Sequence, residues 1–337
     1  MFDVLQLHQA LVAAARPSGA EHTGIAKVLK EMATPYVDEI TTDAMGNLIC
    51  HKKGKGKKVM LCAHMDAIGF MVTGADKWGG LSIAPIGGFD PASLINARIV
   101  FPNGTRGIIK AKEAAKTLSG GWTSIKMTDL YVDIGACSEQ EAMKKVSVGD
   151  LAVYEGLPQA VAGHKIMGPY ADDLIGCVVL LLAMEQLESS KYDVYFVFST
   201  QEEVGCRGAK TASLAIQPHI AIATDVCGCD DTPMQDGKNR VIFLGKGPTV
   251  KIKDASVICS PALNEQLKKT AKKAGLTVQD EILLGGGTDT CSMQMSGPDV
   301  MATCVSIPTR YIHSPGEMYD WRDVEQAGAL LAAFLKQ

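Results

Sequence analysis

The sequence predicts an α/β fold: a mixed, mostly parallel central sheet flanked by helices and interrupted by a small inserted β-rich domain. Three observations carry this expectation. Apolar runs of strand length alternate with stretches of helical periodicity before about residue 70 and again beyond 170, the pattern of a sheet covered on both faces. Between them, glycine and proline punctuate residues 70–160 (GADKWGG, APIGGFDPAS, FPNGTRG), with brief β-rich runs between. Finally, metal-capable side chains recur just past apolar strands, and in an open α/β sheet the carboxyl ends of strands converge on one crevice. The expected limits are 1–67 with 163–337 for the α/β domain and 68–162 for the insertion.

Residues 5–15 have helical spacing and are stopped by Pro17 and Gly19, and EHTGIAKVLKEMA (21–33) reads as a second helix. DEITTDAMGNLICHKKGKGK is strand, turn, strand, with Gly46-Asn47 and the glycine-lysine run as turns. KKVMLCAHMDAIGFMV is a buried strand that releases a His and an Asp at its C-terminal end. Within the insertion, CSEQEAMKK (137–145) supplies one helix. LIGCVVLLLAMEQLESS is then a helix, and KYDVYFVFSTQEE and HIAIATDV are strands. PALNEQLKKTAKKAG is an amphipathic helix followed by strand-like VQDEILL. MATCVSIP is a further strand, and WRDVEQAGALLAAFLK closes the chain as a helix.

The 337 residues suffice for one large core or two domains. A net charge of −4 without a basic tail or cluster argues against a nucleic-acid partner. Apolar runs such as VVLLLAM fall far short of the roughly 20 residues that span a bilayer, and the start lacks the signature of a signal peptide. Ten scattered cysteines read as free thiols in a reducing compartment. The expectation is a soluble, cytoplasmic chain without a membrane partner.

Five places stand out. His64 and Asp66 lie two residues apart, so on a strand they share a face, and a ligating His commonly has its other ring nitrogen held by a carboxylate. Asp172 and Asp173 precede a long apolar helix, Glu202 and Glu203 follow VYFVFST, Asp225 ends AIAT, and His313 follows TCVSIP. Taken singly, each has an ordinary explanation: a hydrogen-bonded His, a solvated Glu pair, an N-capping Asp. Five such places at strand ends, in a chain with seven histidines, favour a shared site. Two histidines with carboxylates suit zinc, cobalt or manganese, and the pattern leads to two ions sharing a carboxylate. In GGGTDT (285–290) we read a close turn lining the crevice, with Asp289 either orienting substrate or structural. The remaining histidines, His8, His22, His51, His164 and His219, are read as structural or surface residues.

The strings AHMDAIGFMV, LYVDIGACSEQEA, ADDLIGC, TQEEVGCRGAKTA, ATDV, GGGTD and IPTRYIHSPGEM resemble the glutamyl/deblocking aminopeptidase family, TET-like dinuclear metallopeptidases of the zinc exopeptidase clan. They run in family order from residue 63 to 318. The resemblance implies that His64 and Asp225 hold one ion, Glu203 and His313 the second, and Asp172 bridges both. It also implies that Asp66 orients His64 and that Glu202 is the general base. The expected activity is release of N-terminal residues from short peptides with a free N-terminus. The inserted domain resembles the family's dimerisation domain, whose dimers build hollow particles, often dodecamers.

Four departures from the family pattern are visible. Ala67 replaces a usual Glu, and Leu174 replaces a common Arg, which would deprive Asp173 of a partner. IIKAKEAAKTLSGG (108–121) lacks a Pro-Pro-His-Leu segment, and CGCDDTP stands in the Asp225 region where a threonine-containing version is more common. Other expectations compete with the aminopeptidase. An acyl-amino-acid hydrolase or carboxypeptidase of the same clan would need a cation for the substrate carboxylate, for which Arg310 and Arg207 are the candidates. A glycosidase would need paired carboxylates without metal and more than 6% aromatic residues for sugar stacking. A catalytically silent assembly protein is the third.

Overall fold

The computed structural model describes residues 3–112, 125–229, 231–234 and 241–336. Helix α1 (Val4–Ala14) is N-capped by Asp3, whose carboxylate accepts the Gln6 N–H at 2.8 Å. Helix α2 (Ile25–Ala33) is shorter than the expected 21–33. A tight 3₁₀ turn occupies Glu21–Thr23, and Gly24 breaks the helix at φ −147°, ψ −93°. A Cβ on Gly24 would collide with the Ala14 carbonyl, so only glycine lets the chain pass there. Glu21 is buried instead of solvated, and its Oε1 accepts from the Gly19 and Gln201 N–H groups.

Strands β1 (Glu39–Thr42) and β2 (Leu48–Lys52) form the expected hairpin, and β3 (Lys58–His64) follows. The chain then builds a closed antiparallel barrel from β4 (Gly69–Ala75), β5 (Leu81–Ile86), β6 (Arg98–Val100), β7 (Arg106–Ala111), β8 (Leu130–Asp133) and β9 (Leu151–Tyr154). Closure removes the exposed edges that so small a sheet would otherwise present. Phe70, Val72, Leu81, Ile99, Ile109 and Val132 are buried. Helix α3 (Glu139–Met143) sits where CSEQEAMKK predicts one, capped by Ser138. The barrel is fused to the rest: one continuous apolar cluster contains its residues and those of the α/β part. Of the family-divergent stretch 108–121, residues 113–121 lie outside the described residues.

Returning from the barrel, the chain forms β10 (Gln159–Ala160), β11 (Lys165–Gly168), α4 (Ala171–Gln186), β12 (Asp193–Ser199), α5 (Arg207–Ile216) and β13 (Ile220–Gly228). It ends with β14 (Thr249–Lys253), α6 (Pro261–Ala274), β15 (Gln279–Ile282), α7 (Thr290–Gln294), β16 (Met301–Arg310), β17 (Glu317–Asp320) and α8 (Trp321–Leu335). The central strands β12, β3, β13 and β16 are parallel, with antiparallel strands on both sides. The fold is thus the mixed, helix-flanked sheet that the sequence predicts.

Alternation along β3 separates two cores. Val59, Leu61 and Ala63 belong to the larger one, with residues of α1, α4 and α8, whereas Met60 and Cys62 join Ala209, Ala212 and Met293 of α5 and α7. Helix α4 is buried along Ala171–Met184, as the apolar run from Leu174 onward requires. The sequence reading assigned no element to α5, β14 or α7. In β14, TVKIK, a fully buried Lys251 interrupts the apolar pattern. Among the described residues, no helix is long and apolar enough to cross a membrane.

Candidate active site

The site lies at the carboxyl ends of the parallel strands. Strand β3 delivers His64 as its last residue, the turn after β12 delivers Glu202 and Glu203, and the turn after β16 delivers His313. Asp172 and Asp173, joined by a cis peptide, open α4 with non-helical backbone angles. Asp225 does not end its strand, as the sequence suggested. β13 runs on to Gly228 because Asp225 and the residues beyond it still pair with β16, Asp225 opposite Ser306.

Asp172 is the centre of the arrangement. Its Oδ1 lies 3.2 Å from His64 Nε2 and its Oδ2 lies 3.2 Å from His313 Nε2, so one carboxylate faces two imidazoles. Donor atoms of His64, Asp172 and Asp225 lie within 4.8 Å of one another, and so do those of Asp172, Glu203 and His313. Glu202 Oε2 stands 3.9 Å from His64 Nε2. The five places singled out from the sequence therefore meet, although they span about 250 positions.

Asp66 is placed differently from the simple expectation. It falls beyond the end of β3, so strand alternation does not set its direction. The nearest acceptor to His64 Nδ1 is the Asp66 main-chain carbonyl, at 3.0 Å, with the carboxylate at 3.6 Å. A carbonyl can only accept, so Nδ1 carries a proton and Nε2 is the nitrogen turned to the cluster, where a cation would replace its hydrogen bond to Asp172. The Asp66 carboxylate meanwhile accepts from the Glu202 and Glu203 N–H groups at 3.0 and 3.2 Å and from Ser18 Oγ at 2.6 Å. With Glu21 holding Gln201, two buried acids fix the backbone that carries the Glu pair.

The electrostatics show strain of one sign. Burial, then the charge of Asp172, pushes the Asp225 carboxyl well above the usual range. Burial raises Glu202 as well, and the charges of Asp225, Asp289 and Glu203 add to it against the opposing pull of His64. For the histidines burial opposes protonation, but hydrogen bonds and carboxylate charges outweigh it. His64 stands well above its ordinary value, and His313 reaches about 11 through Asp172 and Glu203. Glu203 Oε1 is 3.2 Å from His313 Nε2 yet lacks hydrogen-bond geometry, leaving a buried oxygen unsatisfied. Crowded carboxylates, two imidazoles and an orphaned oxygen form a donor set that fits divalent cations, which would replace the two imidazole protons.

Among the supporting residues, Glu317 was not singled out from the sequence. Glu317, buried at the start of β17, accepts from the Asp172 N–H at 2.9 Å and the His313 N–H at 2.7 Å. Burial and the Asp172 charge push its pKa up to about 8. Its signal was only its position four residues after His313. Asp173, whose partner Leu174 cannot replace, accepts instead from the His64 and Gly176 N–H groups, while Leu174 packs in the core. Ala67 is buried, its N–H donating to the Arg16 carbonyl. Asp289 is buried and accepts from Ser199 Oγ, which favours the structural reading. His164 packs edge-on against Trp321, remote from ligation.

The cleft over the cluster has a volume of about 540 Å³. Val226, Cys227, Leu283 and Ile312 supply apolar wall, Cys206, Ser256 and Cys291 supply small polar wall, and the barrel contributes Gly88. Next to it, Gly87 has φ +85°, and a Cβ there would strike Ile68. Lys251 reaches the cleft but its ammonium is held by Glu281 at 2.8 Å and Asp254 at 3.1 Å. Arg310 is committed to Asp231 at 2.9 Å, and Arg207 is exposed, 3.3 Å from Gln201 Oε1. Of the divergent CGCDDTP stretch, Asp230 lies outside the described residues.

The sequence profile of the M42 glutamyl aminopeptidase family matches residues 46–330. The lysyl aminopeptidase of Pyrococcus furiosus is 36% identical over 330 residues, covering 95% of this chain and 93% of that protein. An aminopeptidase from the archaeon Desulfurococcus kamchatkensis superposes with a TM-score of 0.93 at 34% identity, covering 99% of this chain and 94% of its own. The TET1 peptidase of Pyrococcus horikoshii, described as able to assemble into a tetrahedron or a large octahedral shell, gives 0.87 at 30% identity, covering 99% and 100%.

Proposed function

Because this chain belongs to the M42 glutamyl aminopeptidase family, whose members are peptidases, we propose that it is a dinuclear metal-dependent aminopeptidase releasing N-terminal residues from short peptides. The observation that carries the reading is Asp172: its two oxygens face two imidazoles, and each half of the cluster is completed by another carboxylate. His64, Asp172 and Asp225 would hold one divalent ion, and Asp172, Glu203 and His313 the other. Zinc, cobalt and manganese all accept such nitrogen and oxygen donors.

When bound, the ions supply Lewis acidity: they lower the pKa of water and neutralise charge that develops on the scissile carbonyl. Glu202 is the general base in this reading. It takes a proton from the attacking water and passes it to the leaving amine, which must be protonated to depart. Its backbone is fixed by Asp66, so the carboxylate is aimed before substrate arrives. Glu317 positions His313 and Asp172 in the same way, through their N–H groups. Among the described residues, Lys251 and Arg310 are engaged by carboxylates, which argues against either of them gripping a substrate carboxylate and supports cleavage from the amino end.

We place the protein in the cytoplasm, where its cysteines, free throughout the described residues, would stay reduced. We assign the barrel, within 68–162, the dimer contact, and propose that such dimers assemble further into a dodecamer. The test is a panel of free-amine and N-acetylated short peptides, offered to metal-stripped protein reloaded with Zn²⁺, Co²⁺ or Mn²⁺. Cleavage of free-amine peptides alone, and with metal alone, is expected. Cleavage of acetylated peptides, or none with any metal despite bound ions, would overturn the reading.

A further inference from the structure

Beside the two ligand sets, the cleft holds a donor group of another chemistry. The N–H groups of Gly205 and Cys206 both close on the Glu202 carbonyl, at 2.8 and 2.9 Å. That turn brings Cys206 Sγ to 3.1 Å from Glu202 Oε1. Asp289 joins them: one donor atom from each of Glu202, Cys206 and Asp289 lies within 4.8 Å of the others. Asp289 uses Oδ2 for Ser199 Oγ at 2.5 Å and Cys62 Sγ at 3.5 Å, while its Oδ1 is buried without a partner. Cys291 hydrogen-bonds with Cys206 and lines the same cleft.

We propose that Glu202, Cys206 and Asp289, with Cys291 adjacent, form a third cation site that takes a thiophilic divalent ion, Zn²⁺ or Cd²⁺, and thereby inhibits the enzyme. Around a tetrahedral zinc, sulfur and oxygen donors at their normal bond lengths stand roughly 3.3–3.7 Å apart, close to the Cys206–Glu202 separation already present. Binding breaks the Cys206 S–H bond, forms a sulfur–metal bond and releases the proton to solvent, without any redox change. A thiolate donor sets this site apart from the two imidazole–carboxylate sets, because soft ions prefer sulfur. The hydrogen bond with Cys291, burial and the charge of Glu202 all favour the Cys206 thiol form, so the ion must displace a tightly held proton. Inhibition follows because Glu202 Oε1 is taken; this consequence rests on the base role proposed for Glu202, whereas the binding does not.

The test titrates protein already loaded with two ions per chain with Cd²⁺, and compares it with a Cys206→Ser variant treated alike. In the parent, an ultraviolet thiolate-to-cadmium charge-transfer band should rise with a third bound ion and in step with loss of peptide hydrolysis. In C206S the difference band should vanish, and half-inhibition should need at least about 10-fold more Cd²⁺. Other thiols such as exposed Cys137 contribute equally to both proteins and cancel. If C206S fails to fold, Cys291→Ser decides, with a weakened band and inhibition expected. Equal inhibition of parent and variant, or a third ion bound without the band, overturns the proposal. A protein that shows the band but cleaves no peptide would retain the site and refute the aminopeptidase reading instead.

Discussion

The barrel and the carboxyl end of the central sheet treat polar groups in opposite ways. In the barrel, charge stays outside: Arg98 and Arg106 pair with Glu155 while each arginine side chain remains 68% exposed. At the sheet end, Asp172, Asp173, Asp225 and Glu317 are buried with raised or depressed acidities. Backbone strain follows the same division. Tyr170, Gln201, Cys206, Tyr311 and His313 all hold positive φ around the site, whereas in the described barrel strands and loops the non-glycine case is Asn96, a residue type that tolerates it. Polar crowding and strain thus collect where a ligand can repay them, and the barrel is built for stability.

The sharpest way to break that contrast is Glu202→Gln. Metal content should be retained while kcat/KM falls by about 10²–10⁴-fold, the usual worth of a general base; near-normal peptide hydrolysis at full metal loading would remove Glu202 from that role. Leu81→Ala does the opposite test in the barrel. Leu81 is fully buried, so its truncation should cost about 2–5 kcal/mol in denaturant unfolding, with metal content per folded chain unchanged.

His8 lies between the two regions, with Nε2–H donating to the Tyr170 carbonyl and Nδ1 accepting from the Tyr319 hydroxyl. Burial lowers its pKa from 6.5 to about 4, against the raising effect of the Tyr170 carbonyl. A depressed folded-state pKa means that its stabilisation is complete above pH 6.5 and is lost as pH falls through about 4. The loss should reach about 3 kcal/mol, and His8→Gln should flatten that part of the stability profile relative to the parent. The smallest expected effect is that of Asp66→Asn. With the amide replacing one acceptor of the Glu202 and Glu203 N–H groups, activity or metal affinity should drop about 10–100-fold, read by metal titration. An unaltered affinity and rate would show that the turn holds itself.

Legibility in the sequence divides along similar lines. Helix α4 and strands β3, β12 and β16 were readable because long apolar runs leave little choice of environment. His64, Asp172, Glu202, Glu203 and His313 were readable because each directly follows or precedes such a run. Glu317, Glu21 and Asp173 were not assigned roles, since their work is to accept backbone N–H groups, and which amides meet a carboxylate depends on the assembled turn. Lys251 misled in the other direction: a charged residue in TVKIK hides a buried strand whose neutralising partner, Glu281, lies on β15. Asp66 shows the limit of periodicity, because the two-residue spacing from His64 was right and the strand on which the inference depended had already ended.

The register of β3 also bears on how the chain is made. Ala63 receives its Ser199 hydroxyl contact across 136 residues of sequence, and β3 pairs only with β12 and β13. During synthesis this apolar strand therefore emerges before either of its partners, and the barrel residues are translated in between. For that interval the nascent chain carries an apolar strand with both edges open, a state that invites chaperone capture or self-association. Expression yield should accordingly depend on how fast the ribosome reaches β12, a demand on the gene that the finished enzyme no longer reveals.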